Sequence, residues 1–407
     1  MRRRFLLSVL TLALGLGAGV GIVEVGLRLS GFSNPVTSQR DDYCGTIRRP
    51  GVEYLQADEG RALVRFNAAG FRDEEWTLAK PADAFRIAVL GDSYVEAVQV
   101  ALGERFTEML ERELDGTPAV GGRRVHVLTF GVSGFGTAQE LMCLRHHVWQ
   151  YSPDLVILAV TTGNDLRNNS RALQNDDGRP YFSYVNGSLT LDDSFRHSAA
   201  HRGSARRELA LGVIQRSRAA QAAYRFWQNR SSLSRRTRIW EAAQAHQAGE
   251  EAGLDSWTYM ETTNTLQEEA WQITEGLFAL MNREVAERGA KFLLVTLSNA
   301  IQVHPDPEVR AKFMRRIGVE DLLYPERRIA AAGRRDGFVV VNLAPGLEDY
   351  ATRTGAFLHG FGERVGSGHW NQEGHREAGR RLAAEVHGLL GSGSPTALAD
   401  GEGGTPW

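Results

Sequence analysis

Five short, nearly continuous apolar runs stand out in the middle and later parts of the chain. They cover residues 85–90, 125–130, 155–161, 292–297 and 338–343, and they are rich in Val, Ile, Leu and Phe. Near-continuous hydrophobicity over runs of this length is typical of strands that are buried on both faces of a sheet. The pattern therefore predicts five central strands.

Helical periodicity lies between these runs. One helical face ends just before Gly116, another ends before Gly289, and a third lies near the C-terminus. The apolar positions of the three faces are Phe106, Met109, Leu110 and Leu114; Trp271, Thr274, Leu277, Met281 and Val285; and Ala378, Leu382, Val386 and Leu389. Alternating strands and helices predict a parallel sheet with helices on both faces. The expected fold is a three-layer α/β/α, flavodoxin-like domain.

The N-terminus carries an export or anchoring signal. Three arginines follow Met1, and residues 5–23 form a run of nineteen residues without a charge. In a helix this run would rise about 28 Å, close to the hydrocarbon thickness of a bilayer. Residues 1–30 are predicted to be a transmembrane anchor, with a cleaved signal peptide as the alternative. In both cases the positive-inside rule places the body outside the cytoplasm, membrane-anchored in the periplasm or at the cell surface, or secreted.

The remaining chain divides into three parts. Residues 31–84 are predicted to be a lead-in that packs on the core, and residues 85–391 the main domain. A helical insertion is expected at about 170–265, because this connection is too long for an ordinary loop. Its Arg-rich stretch, residues 206–238, is interpreted as a solvated helix, as a cap over the site, or as a surface for lipid headgroups or an anionic polymer. Residues 392–407 are rich in Gly, Ser and Pro and are predicted to be disordered.

Composition excludes several classes of protein. The chain has 407 residues, with 47 Lys and Arg against 49 Asp and Glu, and this near balance argues against a nucleic-acid binder. Cys44 and Cys143 could form at most one intrachain disulfide, and neither stands in a zinc-binding spacing. His146 and His147 are adjacent, so a helix would point them in different directions, and they are interpreted as surface or packing residues. No cofactor and no metal are predicted.

Polar residues follow the predicted strands. In an open parallel sheet, ligands bind beyond the carboxyl ends of the strands. A hydroxyl, a histidine, a side-chain amide and backbone amides beside glycine are the groups that acyl transfer through a tetrahedral intermediate needs. The segments in question are Gly91-Asp92-Ser93, Gly131-Val-Ser-Gly134, Gly163-Asn164-Asp165 and His369-Trp370-Asn371-Gln-Glu-Gly374-His375.

These four motifs, in this order, resemble those of the SGNH (GDSL-type) hydrolases. The lead-in sequence Asn67-Ala-Ala-Gly-Phe-Arg-Asp73 is similar to the membrane-anchored bacterial branch of that family. The resemblance implies that Ser93 is the nucleophile and His369 the general base. It implies an oxyanion hole formed by the backbone N–H groups of Ser93 and Gly131 and by the amide of Asn164. It also implies that Asp92 and Asp165 brace their loops.

The implied activity is esterase activity on carboxyl esters of a small molecule or a polymer. O-acetyl groups on carbohydrate are the first expected substrate class, and lipid esters are the next. An O-acyltransferase would use the same acyl-enzyme with a different acceptor. The sequence departs from the family at one position, because the usual acid three residues before the histidine is Gly366.

Three outcomes follow from Gly366. A backbone carbonyl or Ser367 could hold the imidazole in a Ser–His dyad, or Glu363 could substitute for the acid. Alternatively the domain has little activity and serves as a membrane-tethered carbohydrate-binding module. Loss of the acid's charge in a Ser-His-Asp system can cost about 10⁴ in turnover, which keeps this last interpretation open.

Overall fold

A computed structural model describes residues 2–198, 201, 204–231, 255–262 and 264–391 of the protein. The chain starts with helix α1 (Arg2–Leu29), whose apolar residues are exposed. This helix is long and apolar enough to cross a membrane, and an N-terminal signal sequence has the same features. The apolar N-terminal helix predicted from the sequence is thus present.

The lead-in forms two antiparallel hairpins. The first pairs β1 (Ser38–Asp41) with β2 (Gly45–Arg48), and the second pairs β3 (Glu53–Gln56) with β4 (Ala62–Arg65). In β4, buried residues alternate with exposed ones, which is the period of a strand with one face against the domain. The hairpins thereby place their turns beside the main sheet.

The core is a five-stranded parallel sheet, as predicted. Its strands, in chain order, are β5 (Ala84–Gly91), β6 (Arg124–Gly131), β7 (Leu155–Thr161), β10 (Lys291–Leu297) and β11 (Val339–Asn342), while β8 (Tyr181–Val185) and β9 (Ser188–Asp192) form a separate hairpin. The spatial order is β11-β10-β7-β5-β6. All residues of β5 and β7 are buried, which explains their continuous apolar sequence. The prediction of the fold class is confirmed.

Helices cover both faces of the sheet. Leu141, Phe278 and Ile329 belong to the hydrophobic core on one face, and Leu110 and Leu382 to the core on the other. The helices of the described residues after α1 are α2 (Ser93–Glu96), α3 (Phe106–Leu114), α4 (Thr137–Cys143), α5 (Asp165–Asn168), α6 (Arg171–Gln174), α7 (Ser204–Arg216), α8 (Arg218–Ser231), α9 (Thr265–Glu287), α10 (Pro307–Ile317), α11 (Tyr324–Asp336), α12 (Ala344–Thr354) and α13 (Gln372–Gly391).

The insertion contains more than helices. The β8–β9 hairpin lies within it and turns at Asn186 and Gly187, both of which have positive φ angles (50° and 80°). Asn-Gly between alternating residues is a strong hairpin signal, and this hairpin adds to the helices that were predicted for the insertion. Residues 232–254, with Trp240, and the C-terminal residues 392–407 lie outside the described residues.

The end of α1 docks on the insertion. The Glu24 carboxylate accepts hydrogen bonds from the backbone N–H of Ala219 (2.9 Å) and the hydroxyl of Ser217 (2.9 Å), and so caps the start of α8. Arg28 donates to the carbonyl of Arg216 at the end of α7 (3.0 Å). Further along α8, Trp227 stacks on Tyr224 yet remains 64% exposed. The described part of the Arg-rich stretch therefore packs against α1.

Candidate active site

Ser93 stands in the turn between β5 and α2. The preceding residue, Asp92, caps α2 because one of its carboxylate oxygens accepts the backbone N–H of Tyr94 (3.0 Å). The same oxygen accepts the hydroxyl of Thr161 at the end of β7 (3.0 Å). Asp92 is fully buried, and this burial raises its pKa. The result is a braced turn that presents Ser93 at the carboxyl end of the sheet.

His369 lies directly against Ser93. Its Nε2 atom is 2.8 Å from the Ser93 Oγ atom, although 276 positions separate the two residues in the chain. His369 belongs to the loop before α13, in which the Asn371 side chain accepts the backbone N–H of Gly374 (3.0 Å) and so shapes the start of the helix. The structure thus brings together the two side chains that the sequence motifs marked as nucleophile and base.

The carboxylate of Glu59 holds the other side of the imidazole. One Glu59 oxygen is 2.7 Å from His369 Nδ1, and the other accepts the His369 backbone N–H at 2.7 Å. Burial raises the pKa of Glu59, but the hydrogen bonds and charge of His369 outweigh it and leave this pKa below its usual value. An ionised Glu59 favours the tautomer with a proton on Nδ1, and in that tautomer Nε2 accepts the hydrogen bond of the Ser93 hydroxyl.

Glu59 is a residue that the sequence analysis missed. It lies in the turn between β3 and β4, in the lead-in, and none of the replacements considered for the acid at Gly366 included it. Glu363 is exposed in a short turn, and the Ser367 hydroxyl donates to the carbonyl of Arg364 (3.2 Å). The one local signal that could have indicated Glu59 is the acidic turn Asp58-Glu59-Gly60, which lies between two segments of alternating apolar and polar residues.

Two glycines explain why the acid comes from elsewhere. Gly366 has a φ of +91°, a conformation that residues with a side chain rarely adopt, so a carboxylate at this position would be strained. Gly368 has a φ of +84°, and a Cβ atom there would stand 2.3 Å from the nearer oxygen of Glu59. These two positions therefore carry no side chain and leave an open approach for the carboxylate of Glu59.

Asn164 stands next to the turn that carries Asp92 and Ser93. It precedes α5, and its Nδ2 atom donates to the Asp92 carboxylate at 3.2 Å. The carboxylate accepts only, so this contact fixes which end of the amide faces the turn. Asp165 accepts the backbone N–H of Thr161 (2.8 Å) and braces the same loop. The Asn164 amide nitrogen thus contacts Asp92, the residue that precedes Ser93 in the chain.

Gly131 ends β6 opposite Gly91 and packs beneath α2. A Cβ atom at position 131 would stand 2.3 Å from the backbone nitrogen of Glu96, so only glycine fits. The loop that follows is tied to α2, because the Glu96 carboxylate accepts the backbone N–H of Ser133 (2.9 Å). Glu96 is itself paired with Arg48 of the first hairpin (2.7 Å). The structure thus places Gly131 against the backbone of α2.

The lead-in motif, residues 67–73, contacts the end of the short helix α2 that follows Ser93. Arg72 is buried, and its guanidinium donates to the carbonyl of Glu96 (3.1 Å), to that of Ala97 and to that of Val100 (2.5 Å). Asp73 accepts a hydrogen bond from the backbone N–H of Thr129 in β6 (2.7 Å). The motif therefore joins the end of α2 to the sheet.

A hydrogen-bonded cluster of buried side chains lies next to the loop of His369 and contains His359, Ser298 and Trp370. His359 is in contact with the carbonyl of Gly368 through Nδ1 (2.7 Å) and with the Ser298 hydroxyl through Nε2 (3.2 Å). The indole N–H of Trp370 donates to the same hydroxyl (2.9 Å). Burial lowers the pKa of His359 to about 4. A neutral His359 with its proton on Nδ1 fits these partners and holds the loop of His369 in place.

Comparisons with known proteins bear on the fold. No protein-family model and no curated protein matches the sequence. An acetyl xylan esterase, AlAXEase, is similar to the structure with a TM-score of 0.37 and 12% identity, over 74% of this chain and all of that one (100%). Axe2, an acetylxylan esterase from Geobacillus stearothermophilus, gives 0.37 and 12% over 74% and 94%. LAE5, an α/β hydrolase from the metagenome of Lake Arreo, Spain, gives 0.36 and 12% over 75% and 96%.

Proposed function

We propose that the protein is a serine hydrolase that cleaves carboxyl esters through Ser93, His369 and Glu59. The observation that carries the proposal is the unbroken chain of contacts from the Ser93 Oγ atom to His369 Nε2 (2.8 Å) and from His369 Nδ1 to the Glu59 carboxylate (2.7 Å). A nucleophile, a base and a group that orients the base form the constellation that activates a serine hydroxyl.

The reaction follows from this geometry. As the Ser93 oxygen attacks the ester carbonyl carbon, its proton passes to His369 Nε2, and Glu59 stabilises the imidazolium cation that forms. The tetrahedral intermediate collapses when the same proton passes to the departing alkoxide, which leaves as an alcohol. Water then gives a proton to His369 and attacks the acyl-enzyme. The second tetrahedral intermediate collapses as His369 returns that proton to the Ser93 oxygen, which frees the carboxylic acid and restores the serine hydroxyl.

The oxyanion of the intermediate requires hydrogen-bond donors. We assign this role to the backbone N–H groups of Ser93 and Gly131 and to the side-chain amide of Asn164. The contact of Asn164 with Asp92 supports its assignment, because it directs the amide N–H₂ group towards the nucleophile turn. Removing one such donor typically lowers turnover by about 10²–10³.

The sequence resemblance favours O-acetyl esters of carbohydrate, and then lipid esters, as the substrate class. An O-acyltransferase would share the acyl-enzyme and differ only in the acceptor. The alternative of a weakly active binding module was motivated by the missing acid at Gly366, and Glu59 supplies an acid. We further propose that α1 anchors the protein in the membrane with the catalytic domain on the extracytoplasmic side.

The test uses the full chain purified in detergent. Hydrolysis of p-nitrophenyl acetate and labelling by a fluorophosphonate are expected for the wild type and are expected to be lost in both Ser93→Ala and His369→Ala. A well-folded wild type that neither turns over the ester nor reacts with the fluorophosphonate would contradict the proposal.

A further inference from the structure

Asp41, Cys44 and His147 meet where the first lead-in hairpin packs on α4, and Cys143 lies beside Cys44. We propose that these four side chains bind one divalent cation of the zinc type, which fastens the lead-in to the core. The site is separate from Ser93 and His369, and the proposal does not depend on the proposed esterase activity.

The distances fit a cation. A carboxylate oxygen of Asp41, the sulfur of Cys44 and a ring nitrogen of His147 all lie within 4.8 Å of one another. The closest pair, Asp41 Oδ2 and His147 Nε2, is separated by 3.1 Å. Ligand atoms at bonding distance from a tetrahedral zinc ion stand about 3.3–3.8 Å apart, so small rotations of the side chains would enclose one.

Cys143 supplies the fourth ligand. It is the last residue of α4, and the helical path continues through Leu144–Val148, so Cys143 and His147 are four positions apart on one face. The Cys143 thiol neighbours the Cys44 thiol, and both cysteines are buried and not disulfide-bonded. Two sulfurs, one imidazole and one carboxylate are a donor set that zinc accepts in tetrahedral sites.

The surroundings already hold these groups in place. The second oxygen of Asp41 accepts the backbone N–H groups of Tyr43 (2.9 Å) and Cys44 (2.6 Å), which fixes the carboxylate. Gln139 of α4 donates to the carbonyl of Cys44 (2.8 Å) and so joins the turn to the helix. Such outer contacts orient ligands before a metal binds.

A disulfide between Cys44 and Cys143 would be the simpler use of the two thiols. It would employ only the sulfurs, whereas Asp41 and His147, which share a hydrogen bond, also have ligand atoms within 4.8 Å of the Cys44 sulfur. A cation uses all four groups, and each thiol would release its proton to solvent on binding. Four protein ligands leave no open position, so the role would be structural.

This role has a consequence for the catalytic centre. The strand that follows Cys44 carries Arg48, which pairs with Glu96 beneath the nucleophile turn. A cation at the start of the hairpin would therefore stabilise the support of that turn without contact with substrate.

The test measures metal content rather than activity. The full chain, purified in detergent under reducing conditions and loaded with Zn²⁺, is expected to retain one zinc per chain after desalting. Replacement by Co²⁺ is expected to produce the intense near-ultraviolet thiolate-to-cobalt band and the visible bands of a tetrahedral site. Cys44→Ser and His147→Ala should lose both signals.

His146→Ala is the matched control, because His146 neighbours His147 but stacks on the Tyr43 ring (3.6 Å between centroids). It should retain zinc and the cobalt spectrum, and circular dichroism checks that each variant is folded. A folded, reduced wild type that retains no zinc and gives no cobalt band would overturn the proposal. A disulfide between Cys44 and Cys143 would also overturn it. Mass spectrometry would show this as a protein mass lower by two hydrogen atoms and as a disulfide-linked peptide that contains both cysteines.

Discussion

Glu59 accepts two hydrogen bonds from His369, one from the ring and one from the backbone amide. Two contacts to one residue define both the position of the loop and the plane of the imidazole. At the scale of single residues, Glu59 is therefore the acid that we propose in place of the one missing at Gly366. Its lowered pKa means that the carboxylate keeps its charge in mildly acid solution, where an ordinary glutamate begins to be protonated.

Glu59→Gln is expected to lower kcat for ester hydrolysis by about 10³–10⁴ with little change in KM. The glutamine keeps the size of the side chain but removes the charge that stabilises the imidazolium. Initial rates with p-nitrophenyl acetate measure the effect. Glu363→Gln is the matched control, since Glu363 is an exposed carboxylate near His369 in sequence, and its rate should equal that of the wild type. Wild-type turnover by Glu59→Gln would remove Glu59 from the mechanism.

At the scale of elements, the four-residue helix α2 depends on its neighbours. A helix this short has little stability of its own. Asp92 caps its start, while Arg72 binds carbonyls at its end and Glu96 links it to the loop after β6. The lead-in motif is thus part of the structure that positions Ser93. These contacts give a physical reason why the motif stands before β5 in the chain.

Arg72→Leu is expected to lower the free energy of unfolding by about 2–3 kcal/mol, because it leaves buried carbonyl groups without donors. Urea denaturation followed by circular dichroism measures this change. Arg65→Leu, at a mostly exposed position on β4, should change stability by less than about 0.5 kcal/mol. Equal stability of the Arg72 and Arg65 variants would show that the contacts of Arg72 contribute nothing measurable.

At the scale of the whole molecule, the buried side chain of His359 makes the free energy of unfolding depend on pH. The pKa of His359 is about 4 in the folded protein, against a usual value of 6.5. Between these two values the unfolded chain binds a proton at this residue and the folded chain does not. The free energy of unfolding therefore falls as the pH falls through this window, by at most about 1.4 kcal/mol per pH unit for this site.

His359→Gln is expected to reduce that loss of stability between pH 6.5 and pH 4, because glutamine cannot take up the proton. Urea denaturation at pH 7, 6 and 5 provides the comparison. His387→Gln, at an exposed position on α13, should leave the pH dependence as in the wild type. If the His359 and His387 variants lose stability in parallel on acidification, the buried histidine is not the source.

Local patterns of apolar and polar residues were enough to predict the secondary structure of the core. The five strands, the helices that flank them and the turn that carries Ser93 were predicted correctly, because burial imposes a period on neighbouring residues that can be read without knowing the fold. The Asn-Gly turn of the β8–β9 hairpin was also a local signal, and it was overlooked. The roles of Gly131 and Asn164 remain predictions that come from motif resemblance.

The sequence by itself determined the parallel α/β sheet, the apolar N-terminal helix and the choice of Ser93 and His369 as the proposed nucleophile and base. Only the tertiary structure decided which carboxylate contacts His369, since Glu59 lies 310 positions away in the chain and no periodicity connects them. It likewise decided that His147 lies against Asp41, where sequence alone suggested a packing or surface residue. Hydrophobic periodicity reports what one segment buries, whereas contacts between distant polar side chains depend on the path that the folded chain takes through space.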